Sequence, residues 1–146
     1  MRRLTALGPA VAAAAVFSAA AHADVGVYLR THVVSRYGVI RGHGDGSGMP
    51  VYLVPAKLAP KRYRCSVNGY TDAICEPKSK RAPGPPFVFL GRLRRTANIY
   101  QRQTFAFRVP AGVRPGLYKV FLYCHACGGS LIVSGLSYEG GTLRIV

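Results

Sequence analysis

The stretch from Arg114 to Ser130 constrains the fold more than any other. It reads Arg-Pro-Gly-Leu-Tyr-Lys-Val-Phe-Leu-Tyr-Cys-His-Ala-Cys-Gly-Gly-Ser. A Pro-Gly turn launches an unbroken strand from Leu117 to Cys124, and a close cysteine pair ends it. Successive strand side chains point to opposite faces. Tyr118, Val120, Leu122 and Cys124 therefore form one row, read as inward, and Leu117, Lys119, Phe121 and Tyr123 form the other. This is the pattern of a core strand in a β-sandwich.

The rest of the chain repeats the theme in shorter pieces. Val25 to Val34 alternates, with Val25, Val27, Leu29, Thr31 and Val33 on one side and Gly26, Tyr28, Arg30 and His32 on the other. Val39 to Arg41 is a short second strand. The run from Gly42 to Gly48, with four glycines in seven residues, reads as a loop. Met49 to Pro55 is a third strand, apolar on both faces and bracketed by prolines. Phe87 to Leu93 follows, then Thr104 to Val109 with Phe105, Phe107 and Val109 on one face and Thr104, Ala106 and Arg108 on the other. Leu131 to Val133 is expected as an edge piece, and Thr142 to Val146 closes the chain. About seven short strands separated by Gly and Pro signals, with no helical period, predict an all-β, antiparallel β-sandwich.

Length and composition limit what this sandwich can be. At 146 residues the chain holds one core. Residues 1–23 stand outside it: Arg2 and Arg3 precede an alanine-rich apolar run, and Ala21-His22-Ala23 is a small-x-small cleavage site, so 1–23 reads as a secretory signal peptide cut after Ala23. The domain then spans 24–146 and is expected to be secreted, extracytoplasmic and without a transmembrane segment. Loss of Arg2 and Arg3 leaves 18 of the 20 Lys plus Arg against five acids, a net charge of +13. Such a field concentrates anions, so an anionic cell-wall polymer or lipid head groups are the natural partners, and export leaves nucleic acid no physiological part. A GC-rich codon bias would also produce a basic, soluble chain of this composition.

Residues 56–86 show no sustained period of 2 or 3.6, and form a basic, Pro-rich insertion in the sandwich. Ten cations, Lys57, Lys61, Arg62, Arg64, Lys78, Lys80, Arg81, Arg92, Arg94 and Arg95, fall within 39 residues against two acids, with Tyr63, Tyr70 and Phe87 interleaved. Cations among aromatic rings suit charge pairing and stacking together, which makes these ten residues the candidate polyanion-binding set. Four cysteines in an exported chain favour two disulfides. Counting cannot separate the three connectivities, but proximity favours Cys65 with Cys75 and Cys124 with Cys127. The ten-residue loop is then worth somewhat under ~3 kcal/mol.

At Pro115-Gly116-Leu117-Tyr118-Lys119-Val120 the sequence resembles the penultimate strand of bacterial immunoglobulin-like and fibronectin type III-like domains. The resemblance spans about Thr104 to Cys124. It implies an immunoglobulin-like sandwich in which the hydroxyl of Tyr118 bonds back to the preceding corner, and it implies no activity. Leu122 stands where antibody domains carry the corner tyrosine, and the chain has no Trp. The ending Cys-x-x-Cys-Gly-Gly-Ser-Leu is similar to that of small actinobacterial secreted proteins.

The chemistry-bearing motifs are few. Cys124-His125-Ala126-Cys127 is followed by Gly128-Gly129, poor material for the helix a redox Cys-x-x-Cys needs, and the nine-residue spacing of Cys65 and Cys75 is wrong for zinc. No Gly-x-Ser-x-Gly, His-Glu-x-x-His or phosphate loop is present, and Asp72 with Glu76 is the only close carboxylate pair. A non-catalytic binding or structural domain of the cell envelope, without cofactor or resident metal, is the expectation. Two alternatives stand beside it. Cleavage after Ala21 would expose His22 as an N-terminal copper chelator, similar to CopC-like copper carriers. An exposed apolar patch at Leu117, Phe121 and Tyr123 would instead suit a protein partner.

Overall fold

A computed structural model of the chain describes residues 26–58, 63–68, 72–77, 87–126, 129–134 and 141–146, with side chains described for all of these but 65–68, 72–74, 77 and 133–134. The proposed signal peptide, His22, and the segments 59–62, 69–71, 78–86, 127–128 and 135–140 lie outside the described residues. The strands are β1 (Gly26–Leu29), β2 (Val33–Val34), β3 (Val39–Asp45), β4 (Pro50–Pro55), β5 (Tyr63–Asn68), β6 (Asp72–Pro77), β7 (Val88–Arg92), β8 (Gln103–Arg108), β9 (Gly116–Cys124), β10 (Ser130–Ser134) and β11 (Thr142–Ile145). No α-helix occurs among the described residues.

Two sheets face each other. The smaller has the order β1-β3-β8, and the larger runs β2-β11-β9-β10-β6-β5 with β4 on β9 and β7 on β4. Every pairing is antiparallel except the two-residue match of β2 with β11. The molecule is an all-β sandwich, as the alternating strands predict.

β9 is the centre of the larger sheet because its nine residues let it pair with β4, β10 and β11 at once. The inward row expected from the sequence is inward. Val120, Leu122 and Cys124 are fully or almost fully buried, with Tyr118 packed against them, together with Val51 and Leu53 of β4 and Val27, Ile40 and Phe105 of the smaller sheet. The hydroxyl of Tyr118 donates to the Arg114 carbonyl oxygen at 2.7 Å, the corner bond expected at Pro115-Gly116.

The opposite face of β9 departs from expectation. Phe121 is wholly buried, Tyr123 half-buried and Lys119 only 4% exposed, its Nζ donating to Thr142 Oγ1. A second apolar cluster covers this face: Val54, Tyr63, Cys75, Phe87, Phe121 and Leu131, with Tyr52, Leu58 and Tyr123 at its margin. Tyr63 and Phe87 stack with ring centroids 5.7 Å apart. Tyr63 belongs to the insertion, and Phe87 follows it. Of the apolar patch expected at Leu117, Phe121 and Tyr123, Leu117 is exposed, Tyr123 is half-buried and Phe121 is buried, so the three form no open patch.

The insertion also carries more order than its sequence suggests. β5 and β6 pair as a hairpin and extend the larger sheet through β10, which is an interior strand and not an edge piece. β5, Tyr-Arg-Cys-Ser-Val-Asn, does alternate over its six residues, with Tyr63, Cys65 and Val67 on one row. The apolar residues of β6, Asp-Ala-Ile-Cys-Glu-Pro, are consecutive and show no period of 2, so the pair is hard to see in a segment otherwise rich in Lys, Arg and Pro. Pairing to β10 supplies what propensity does not. Neither described cysteine thiol, Cys75 or Cys124, is free. Cys75 belongs to the second cluster and Cys124 to the first, so they occupy opposite faces of the sheet. Register sets Cys65 directly across from Cys75.

The glycine run expected as a loop is strand as far as Asp45. Gly42 accounts for this: a Cβ there would lie 2.3 Å from the Tyr28 carbonyl oxygen and 2.6 Å from the Phe105 ring. The glycine lets backbone and ring close over one another where any side chain would hold them apart.

Candidate anion-binding surface

The outer face of the smaller sheet gathers cations from three strands. Register aligns Tyr28, His43 and Thr104 across β1, β3 and β8, and Arg41 with Ala106 one pleat further on. The inner positions, Val27, Leu29, Ile40, Phe105 and Phe107, go to the core. Strand alternation therefore sends Arg41, His43, Arg102, Thr104, Ala106 and Arg108 outward, with Arg30 at the end of β1.

An open groove of about 580 Å³ lies on this face, lined by Arg30, Thr31, Arg41, Gly42, Thr104 and Ala106, among others. The bend after β1 brings its two arginines together. The amides of Arg30 and Thr31 both donate to the Arg41 carbonyl oxygen, and the Arg41 amide donates to Thr31 Oγ1 at 3.1 Å. No acidic residue lines the groove among the described residues. Two guanidinium groups and two threonine side chains around an open space suit the oxygens of phosphate, sulfate or carboxylate groups.

Beside the groove, Tyr28 and His43 stack with centroids 4.8 Å apart, and the Arg102 guanidinium sits 5.8 Å from the Tyr28 ring centroid. Arg102 Nε lies 3.8 Å from Asp45 Oδ1, the one ion pair among the described residues. Asp45 is buried and Arg102 largely exposed. Burial holds the pKa of His43 below 6.5, the positive charges of Arg102 and Arg30 press it the same way, and Asp45 opposes them. Its Nδ1 is buried without a hydrogen-bond partner among the described residues, consistent with a neutral ring.

The last residue of β7, Arg92, and the loop after it, with Arg94 and Arg95, add three more arginines at the Asp45 end. Gln103, itself buried, clamps the loop by accepting from the Arg94 amide at 2.7 Å and donating to the Arg94 carbonyl at 3.0 Å. Ser47 Oγ bonds both the amide and the carbonyl of Thr96. Arg92 Nη1 donates to the Gly48 carbonyl, and the Arg95 stem packs beside the Gly48 Cα, where φ is +69°. Arg92, Arg94 and Arg95 thus share one end of the molecule with Arg102.

Of the ten cations singled out from the sequence, the structure describes the side chains of five. Arg92, Arg94 and Arg95 come together as above. Lys57 lies past the far end of β4, whose near end at Pro50 is paired with Arg92, so roughly 16 Å or more of strand separates them. Arg64 lies on β5, across from Glu76. Lys61, Arg62, Lys78, Lys80 and Arg81 are outside the described residues. Sequence reasoning passed over Arg30, Arg41, Arg102 and Arg108. The signal was present, since Arg30 and Arg108 stood on the rows opposite Val27 and Leu29 and opposite Phe105 and Phe107 in two expected strands. Missing was the length of the central strand that joins those rows: it was expected over Val39 to Arg41, and its continuation to Asp45 read as a glycine loop.

No cluster of three or more His, Cys, Asp or Glu side chains able to hold a metal ion occurs among the described residues. His32 bonds the Thr142 carbonyl through Nδ1, and His125 is exposed. No family model matches the chain, and neither a curated protein nor a solved structure matches it.

Proposed function

We propose that the chain is an exported, non-catalytic domain of the cell envelope that binds anionic polymers, and that the arginine-lined outer face of the β1-β3-β8 sheet is the binding surface. The observation that carries this reading is the set of arginines along the outward side of the β1-β3-β8 sheet: Arg102 at the Asp45 end with Arg94 and Arg95 on the adjoining loop, Arg30 and Arg41 at the groove, and Arg108 at the far end. The one acid described on that face, Asp45, is itself buried. A linear polyanion crossing the groove between Arg30 and Arg41 would meet charge along its whole path and release counterions as it bound. The framework is fixed by pairing of Cys65 with Cys75 and of Cys124 with Cys127. Register favours the first pair, and the opposite-face positions of Cys75 and Cys124 argue against joining those two.

The experiment is the salt dependence of binding to linear polyphosphate, for wild type and for the Arg30→Gln, Arg41→Gln, Arg94→Gln, Arg95→Gln variant. Each lost contact lowers the slope of log K against log salt by about 0.7 to 0.9, so the variant should lose two or more slope units. A Lys57→Gln, Arg64→Gln variant should lose less than one. Equal slopes in wild type and the first variant would reject the surface.

A further inference from the structure

Positions on the outer face of the larger sheet carry a row of partly exposed rings. Phe89 of β7 is opposite Tyr52 of β4, and Tyr123 of β9 is diagonal to Tyr52 across the next pairing. Ring centroids are 5.7 Å apart from Phe89 to Tyr52 and 6.1 Å from Tyr52 to Tyr123, and His125 continues the row at 6.4 Å from Tyr123. Phe89 is 49% exposed, Tyr52 and Tyr123 are half-buried, and His125 is exposed. Phe121, opposite Tyr52, and Leu131, opposite Tyr123, are the buried neighbours of the row on the same face; Tyr52 and Tyr123 pack one side against them, while Phe89 stands outside that cluster. Outward positions on a solvated sheet are ordinarily polar, so a run of rings here is informative.

The ends of the row bear on what it would hold. The Arg92 guanidinium lies 6.0 Å from the Phe89 centroid, placing a cation on its rim, and the row has no described acid. Neighbouring planes are turned by 61° and 89°. Consecutive bases of a nucleic acid stack as near-parallel plates, whereas pyranose rings joined through single oxygens turn against one another. A pyranose also offers an apolar C–H face to an aromatic ring while its hydroxyls reach the phenol groups of Tyr52 and Tyr123. From the turned rings, the phenols and the cationic rim, we infer that this row is a glycan-binding strip and that its ligand is an acidic polysaccharide of uronic acid residues, whose carboxylates pair with Arg92. The inference rests on the anionic-polymer reading and narrows it to a polymer with sugar rings.

The test measures affinity of the oxidised full chain for alginate, linear polyphosphate and an oligo-dT strand, with Phe89→Ala and Tyr123→Phe as variants. Both leave the buried cluster in place. Loss of one stacking ring should weaken alginate binding about 3- to 10-fold in Phe89→Ala, with Tyr123→Phe weaker than wild type and polyphosphate affinity unchanged within about twofold. Alginate affinity unchanged in both variants overturns the inference, as does an equal loss on oligo-dT, which would make the strip a base-stacking surface. Failure of wild type to bind polyphosphate would instead reject the charge reading, and the dependence of alginate binding on Phe89 would still decide this one.

Discussion

Phe121 offers the sharpest test of how the sandwich is built. Its side chain lies on the face of β9 turned away from the smaller sheet, yet it is 0% exposed under Val54, Tyr63, Phe87 and Leu131. A residue on an open sheet face changes stability by no more than about 0.5 kcal/mol when replaced. A buried ring behaves otherwise: Phe to Ala costs about 3 to 5 kcal/mol through lost transfer energy and the cavity left behind. A domain of this size has only about 5 to 15 kcal/mol in hand, so Phe121→Leu is the better probe. It removes the equivalent of two or three carbon groups, worth roughly 2 kcal/mol at about 0.8 kcal/mol each. Urea unfolding of the oxidised protein, followed by far-ultraviolet circular dichroism, should show the midpoint lowered by about 1 M with the slope unchanged. Phe89→Leu, on the same face but 49% exposed, should stay within about 0.5 kcal/mol of wild type. Equal small effects for the two substitutions would mean that the insertion does not cover β9, and the second cluster would have to be abandoned.

Other outcomes follow from particular contacts. Gly42→Ala should destabilise by well over 1 kcal/mol in the same unfolding assay, because its Cβ meets a backbone oxygen that cannot move aside; an unaffected midpoint would refute that packing. Tyr118→Phe removes the bond to the Arg114 carbonyl and should cost about 1 kcal/mol, and a neutral result would show the corner bond to be idle. His43 binds its proton more weakly folded than unfolded, so its contribution to stability is complete above pH 6.5 and is lost as pH falls through its lower native pKa. Ring-proton NMR should place its midpoint below 6.5, and Arg102→Gln should raise that midpoint; a midpoint at or above 6.5 in wild type would contradict the environment described.

The strands that were legible in the sequence are those whose own side chains alternate and whose inward row meets the main core. β9 and β8 are of this kind, with Val120 and Leu122 in one, Phe105 in the other and Val109 just beyond it. β4 read as apolar on both faces, and both faces are covered, Val51 and Leu53 by one cluster and Val54 by the other. Three features depended on partners distant in sequence. β3 continues through Gly42 and Gly44 because β1 and Phe105 close over them, which no local pattern reports. β5 and β6 form because β10 offers an edge. Lys119 stood on an outward row and is buried because Thr142 of β11 reaches its Nζ. The candidate surface suffered from the same blindness. Charge density along the chain pointed to 57–95, whereas density in space also draws on Arg30, Arg41, Arg102 and Arg108, residues up to 78 positions apart in the numbering from 30 to 108.

A residue-resolved titration addresses the central claim most directly. Amide NMR shifts of the isotope-labelled, oxidised domain, recorded while linear polyphosphate is added at low salt, should move for residues 28–31, 41–45 and 92–106, which frame the arginine face. Shifts confined to β5, β6 and Lys57, with that face silent, would contradict the account.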